Sequence, residues 1–364
     1  MDEAVRLRVC FFGDFDPEYN RTKMLIEGLR LKGVEVLLCH TRERSKKKYV
    51  ELWRQFRLMK NQCDVVVLGF SDDRWMPLAA RVIVGRKKIM WDLWFSYYDN
   101  WVFDRKLVKP HSLKALFHWS FDWVNCRLVD GVVLDYVTHI NYFRDTFGVN
   151  PARCFQVNGT ADTCVFYPQP KPTAAAGKFR VEYHGKYIPV QGVEVIVRAA
   201  KLLADDPDIV FTMIGDGQEY KKTRAFATEL GVGNIEFLPF LPLKELPPYI
   251  AAADVCLGLI GDVPRVARTV ANKLYEATAM GRVCITADVP AIREIFTDGV
   301  DVVLVKQGSV EDLVEKIRYL KANPEITARL SAAAYQTFVR CCSPDVVGTK
   351  LTGALAVLLG KRIV

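Results

Sequence analysis

The loop after the first strand of this 364-residue chain carries Gly13-Asp14 and not G-x-G-x-x-G. That speaks against a nicotinamide dinucleotide. Ten cysteines and five histidines are present, but none of them form C-x-x-C or a zinc-spaced cluster. Cys10, Cys39, Cys256 and Cys284 sit in predicted strands, as reduced core thiols of a cytosolic protein would. No leader peptide is expected, because Met1-Asp-Glu is acidic and Leu7–Phe12 is short and strand-like. No apolar run approaches the length that spans a bilayer. Nothing resembles a nucleic-acid reading module, so no nucleic-acid partner is expected. The sequons at Asn20 and Asn158 are then chance matches.

What is present is ordinary globular composition, half hydrophobic and a quarter charged, in a length that suits two domains. The net charge of +8 suits an anionic ligand or membrane surface, or is simply solvated basic surface. Leu7–Phe12, a helix over Tyr19–Lys32, and Val34–Cys39 make a βαβ unit that opens a parallel sheet. Asp64–Gly69, Lys88–Trp91, Gly131–Leu134 and Phe155–Val157 continue it, and Ser112–Leu128 and His139–Thr146 read as helices. The basic segment 42–60 carries an apolar stripe of Tyr49, Leu52, Trp53, Phe56 and Met59. It either packs on the sheet, which a layered α/β fold favours, or makes a peripheral membrane contact.

Asp92, Ser96 and Asp99 lie in an acidic, aromatic loop at a strand's carboxyl end, where open α/β sheets bind ligands. Carboxylates there can take sugar hydroxyl protons. Phe166–Pro172 with Thr173–Gly177 reads as a linker, because prolines and small residues cluster and the apolar rhythm stops. A second α/β set follows, with strands at Arg180–His184, Ile209–Ile214, Ile235–Phe237, Val255–Leu257, Val283–Ile285 and Val302–Val305. Three of its loops follow a strand and precede a helix: Gly185-Lys186, Gly215-Asp-Gly217 and Arg265–Asn272. Glycines admit a phosphate to the backbone, and Lys186, Arg268 and Lys273 add charge. Asn272 reads as the N-cap of a helix ended by Gly281. Glu276, one turn in, can accept hydroxyl groups.

These residues resemble glycosyltransferase family 4. The likeness rests on Tyr183-His-Gly-Lys186 with Gln191-Gly-Val-Glu194, Ile214-Gly-Asp-Gly217, Ala253–Gly258, and Asn272-Lys-Leu-Tyr-Glu276 up to Gly281. Asn158–Asp162 and Phe166-Tyr-Pro168 match the segment before the hinge. The resemblance implies the GT-B fold, two Rossmann-like doubly wound domains facing each other across a cleft. Residues 1–168 would form the acceptor domain and 169–344 the donor domain, with a helix at about 345–364 packing back on the first. It implies a retaining hexosyltransferase that needs neither cofactor nor metal. Such an enzyme moves sugar from a UDP- or GDP-sugar to a glycan, lipid-linked or small-molecule acceptor. The setting would be cytoplasmic, or peripheral on the inner face of the membrane through segment 42–60. Lys186 and Asp92 are then the catalytic candidates. Gly185, Lys186, Gln191, Gly215, Gly217, Arg268, Asn272, Lys273 and Glu276 bind the donor, and Gly13, Asp14, Asp92, Ser96 and Asp99 the acceptor. Arg268 stands where the family's E-x7-E motif has its first glutamate, and Gln191 where a basic residue is usual. A sugar-nucleotide epimerase or a non-catalytic sugar-binding protein of the same fold is the alternative.

Overall fold

The computed structural model describes residues 7–172 and 177–361. The Met1–Glu3 stretch and Thr173–Ala176 of the linker, both used above, lie outside them. The chain forms two compact units. The first comprises the described residues of Met1–Val102, Lys106–Thr160 and Pro344–Val364; the second holds Phe103–Arg105 and Ala161–Ser343.

The first unit is a six-stranded parallel sheet of β1 (Arg8–Gly13), β2 (Glu35–His40), β3 (Val65–Leu68), β4 (Ile89–Asp92), β5 (Gly131–Leu134) and β6 (Cys154–Gln156). The spatial order is β2-β1-β3-β4-β5-β6. Register is set by pairs such as Val9↔Val36 and Val9↔Val65. Its central strands are apolar on both faces because helices cover both. On one face lie α2 (Lys47–Met59), α3 (Met76–Val84), α5 (Leu113–Leu128) and α6 (Val137–Phe147), which bury Leu52, Ala80, Cys126 and Phe143. A single turn, α4 (Tyr97–Asp99), precedes α5. In α2, Leu52 and Phe56 enter the core, as the packed reading of 42–60 expects. Trp53 instead stays outside beneath the Arg57 guanidinium. The other face is covered by α1 (Asn20–Leu31) and by the last helix, α14 (Pro344–Leu359), which buries Leu351 and Leu355. Each of those leucines contributes about 1.5–3 kcal/mol.

The second unit repeats the plan with β7 (Phe179–His184), β8 (Ile209–Ile214), β9 (Ile235–Leu238), β10 (Val255–Leu257), β11 (Cys284–Ala287) and β12 (Val303–Val305). Its order is β12-β11-β10-β7-β8-β9, so the winding reverses between β7 and β10. Its helices are α7 (Val193–Leu202), α8 (Tyr220–Glu229), α9 (Pro247–Ala252), α10 (Asn272–Ala279), α11 (Pro290–Arg293), α12 (Val310–Ala322) and α13 (Pro324–Cys342). Ligands of such sheets bind outside the carboxyl ends of the strands at that reversal.

Pro324–Leu359 as a whole is long and apolar enough to cross a membrane. That stretch is two helices, α13 and α14, taken as one. The two helices break at Ser343, whose backbone is extended, and each buries its own stripe in its own unit.

Helices α1 and α14 cross at two glycines. A β-carbon on Gly28 would sit 2.9 Å from the Gly348 backbone, and one on Gly348 would sit 2.1 Å from the Gly28 carbonyl oxygen. Gly348→Val therefore cannot be seated without parting the helices. It is expected to cost about 3 kcal/mol, at the upper end of overpacking effects, and to lower Tm by roughly 5 °C or more. Thermal unfolding measures this, and an unchanged Tm would show that the close crossing is not made.

Candidate functional site

Strand β7 is built to carry polar groups at its carboxyl end. Its period of two puts Glu182 and His184 on one face. Both are buried, and the His184 Nδ1 hydrogen bonds to Glu182 Oε1 at 2.8 Å. The other ring nitrogen, Nε2, lies 2.7 Å from Glu276 Oε2. Ionised carboxylates only accept, so both ring nitrogens must donate and the imidazole is protonated. Burial opposes that charge, but Glu182 and Glu276 outweigh it and carry His184 up to about 9.

Glu276 reaches this position from the second turn of α10. That helix starts without a side-chain cap. The expected N-cap, Asn272, is its first helical residue, and Ala271 takes the cap position because its backbone is extended. The helix ends as Gly281 predicted: Arg282 N–H donates to the Ala277 carbonyl and Gly281 N–H to that of Thr278, with Gly281 left-handed at φ 66°.

Lys273, in the first turn of α10, is also buried. Its ammonium donates to Gln191 Oε1 at 2.6 Å and sits 3.6 Å from the centroid of the Tyr183 ring. Burial lowers its pKa to about 7, against the pull of Glu182 and Glu276. The Tyr183 hydroxyl in turn donates to the Lys186 carbonyl at 2.9 Å. Lys186 itself is exposed. The structure therefore gathers Gly185, Lys186, Gln191, Lys273 and Glu276 at the end of β7.

Gly215 and Gly217 belong to the same edge. Gly185 N–H donates to the Ile214 carbonyl and Tyr187 N–H to the Asp216 carbonyl. A β-carbon on Gly215 would fall 1.9 Å from the Gly185 oxygen, and one on Gly217 would fall 2.7 Å from the Tyr187 backbone. Their φ values, 136° and 144°, are open only to glycine. Arg268 ends the 3-10 turn Pro264–Arg268, four residues ahead of α10, and is partly buried.

In the first unit the candidates turn inward. Asp92 ends β4 and is 1% exposed. The Arg21 guanidinium holds it, with Nη2 2.8 Å from Oδ1. Arg21 Nη1 also pairs with Asp135 Oδ1 at 2.8 Å. Burial pushes Asp135 up to about 6 despite Arg21. Ser96 caps α4, accepting the Asp99 N–H, and donates to Asp122 at 2.7 Å. Burial raises Asp122 to about 7. Asp99 is buried as well. Gly13 ends β1 with φ 138°, and Asp14 pairs with Lys48 and accepts the Ser71 hydroxyl. Asp92, Ser96 and Asp99, expected to face an acceptor, are all buried in this structure. Their side chains are enclosed, and those of Asp92 and Ser96 hold internal partners.

Sequence reasoning missed Glu182 as a partner of His184, and Arg21 and Asp135 as holders of Asp92. The Glu182-x-His184 alternation was a usable signal. Arg21 gave none, since its partners lie 71 residues and more away. Among the described residues no His, Cys, Asp and Glu group is arranged to hold a metal ion.

His184 ties stability to pH. Its folded pKa lies above the ordinary 6.5, so its contribution is complete below about 6.5 and is lost as pH rises through about 9. Lys273 runs the opposite way from about 7 upward, so the comparison must cancel it. The stability difference between wild type and His184→Gln, measured by denaturant unfolding, is expected to shrink by roughly 3 kcal/mol between pH 6.5 and 9.5. A difference that does not change with pH would mean that the imidazolium is not there.

An uncharacterized glycosyltransferase of Methanocaldococcus jannaschii is 30% identical over 146 residues, 40% of this chain and 39% of that protein. The lipopolysaccharide core biosynthesis glycosyltransferase LpsE of Rhizobium meliloti is 24% identical over 164 residues, 45% of each. The chain spans less than half the length of these relatives. Among solved structures, Anabaena HepE in complex with UDP and glucose matches with a TM-score of 0.72, over 96% of this chain and 99% of that one, at 14% identity. That likeness is one of fold, the two-domain Rossmann-like GT-B architecture. The family model of glycosyl transferases group 1 matches residues 169–337, all of which fall in the second unit.

Proposed function

We propose that the chain is a glycosyltransferase that moves a hexose from a UDP- or GDP-sugar to a glycan, lipid-linked or small-molecule acceptor. The observation that carries this is the gathering of Lys186, Gln191, Lys273 and Glu276 at the winding reversal of the matched domain. The second unit takes the donor and the first unit the acceptor.

The residues suit a nucleotide diphosphate in two ways. Lys186, Lys273 and the uncapped start of α10 offset the charge that develops on a leaving diphosphate. Glu276 can accept sugar hydroxyl groups, and the His184 ring 2.7 Å away fixes where its carboxyl group stands. Lys273 is half neutral near pH 7 in the free protein, and a bound diphosphate would draw a proton onto it.

Retention of configuration, reaction without a metal and a cytoplasmic setting belong to the same proposal. The buried carboxylates Asp92, Asp135, Glu182 and Glu276 are committed to Arg21 and His184. None of these four is therefore our candidate for a covalent nucleophile. Front-face attack, with the leaving phosphate taking the acceptor proton, fits that arrangement. All ten cysteines are free thiols, which suits a reducing compartment.

Titration calorimetry with UDP-, GDP- and dTDP-sugars tests the site, followed by assay for slow donor hydrolysis. Lys186→Ala and Glu276→Ala are each expected to weaken binding of the preferred donor about tenfold or more. Affinity should fall as pH rises from 7 to 9, and Lys273→Met should flatten that slope. Failure of every donor to bind would overturn the enzyme proposal. Binding without turnover would favour the non-catalytic alternative.

A further inference from the structure

The first unit exposes apolar side chains unevenly. Eleven of its sixteen exposed large apolar residues lie on α2, α3, α5 and α6, the helices that cover one face of its sheet, whereas the described residues of the second unit expose six. The densest part is the loop before α5 and the start of that helix. Leu113 is 86% exposed, Leu116 58% and Leu107 56%, and half of Phe117 faces solvent. Exposed apolar groups gathered on one layer mark an interaction surface.

The same segment is cationic. Lys106, Lys109 and Lys114 are exposed, and residues 106–121 include no aspartate or glutamate. The loop is held open at a cost. Lys106 and His111, at φ 53° and 60°, are the non-glycine residues with positive φ among those described, and such backbone costs roughly 1–2 kcal/mol each. The N–H groups of Leu107 and Val108 both donate to the Trp101 carbonyl, and Val108 is buried beneath. That anchor turns Leu107 and the lysines outward. Ser112 then caps α5 by accepting the Ala115 N–H. Beside the tip a cavity of about 390 Å³ opens among Tyr98, His111, Leu113, Leu116 and Trp119.

We infer that residues 106–117 are a docking site for an anionic lipid bilayer. The leucines and Phe117 enter the interfacial layer while the lysines meet lipid phosphates. Charge decides between a membrane and another protein. Lysine is depleted at protein–protein interfaces, but lysine interleaved with leucine and aromatics is what an interfacial segment carries. This site replaces segment 42–60 as the membrane contact. There Glu43 and Glu51 interrupt the cations, and Leu52 and Phe56 are used in the core. The inference does not depend on the sugar-nucleotide site, which lies in the other unit.

Co-sedimentation of the full chain with vesicles tests it. Vesicles of phosphatidylcholine with 30% phosphatidylglycerol are compared with phosphatidylcholine alone. The chain is expected to bind the anionic vesicles at least tenfold more tightly, with binding falling as salt rises. Leu113→Asp with Leu116→Asp, both at exposed positions, should cut partitioning at least tenfold while circular dichroism stays unchanged. Lys106→Glu with Lys109→Glu and Lys114→Glu should cut it about a hundredfold, at roughly fivefold per lysine, and remove the salt dependence. The proposal is overturned if wild type stays in the supernatant with anionic vesicles, or if both variants bind as wild type does. It is also overturned if wild type is a dimer on gel filtration that the leucine variant dissociates, because the surface then belongs to a second copy.

Discussion

In each unit a buried cation at the carboxyl end of the parallel sheet is shared between two carboxylates. In the first unit Arg21 lies between Asp92 and Asp135, and in the second His184 lies between Glu182 and Glu276. Removing such charges from water is expensive, and their mutual attraction offsets the cost only when geometry and hydrogen bonding are good. Taking away one member would therefore leave an uncompensated charge in a dry interior. The consequence is positional. The loops that follow the strands are pinned to groups with little freedom to move.

The two clusters differ in what they leave available. Arg21 is a permanent cation and its partners are almost fully enclosed, so the first is a clamp. His184 is a cation only because of its neighbours, and Lys273, set against the Tyr183 ring and Gln191, is close to losing its proton at neutral pH. The second cluster thus sits near the edge of its charge state, which is where an incoming anion has most effect. That asymmetry supports a donor in the second unit more than any single residue does.

Much of this was legible in the sequence. Gly131–Leu134 and Ile209–Ile214 are strands with the expected bounds, because short apolar runs between turn residues leave few alternatives. Gly281 marked a helix end because the left-handed turn there favours glycine. Other features depended on distant partners. Helix α3 went unread because it begins at Trp75-Met-Pro77 without a capping side chain. Asn272 looked like a cap by type, but backbone conformation gave that place to Ala271. Asp92 read as ligand-facing because it ends a strand, and only the fold brings Arg21 onto it. The His184–Glu276 contact joins residues 92 apart, beyond the reach of any local pattern.

The close crossing of Gly28 and Gly348 also bears on the order in which the chain assembles. Apart from Phe103–Arg105, the second unit is one continuous stretch and can fold as soon as it is made. The first unit is split, and one wall of its core is supplied by α14. During synthesis its sheet must wait, with Val347, Leu351 and Leu355 still to come, until the whole second unit has been threaded through. A ribosome-bound intermediate with a finished second unit and an open-faced first sheet follows from two glycines and the position of one helix.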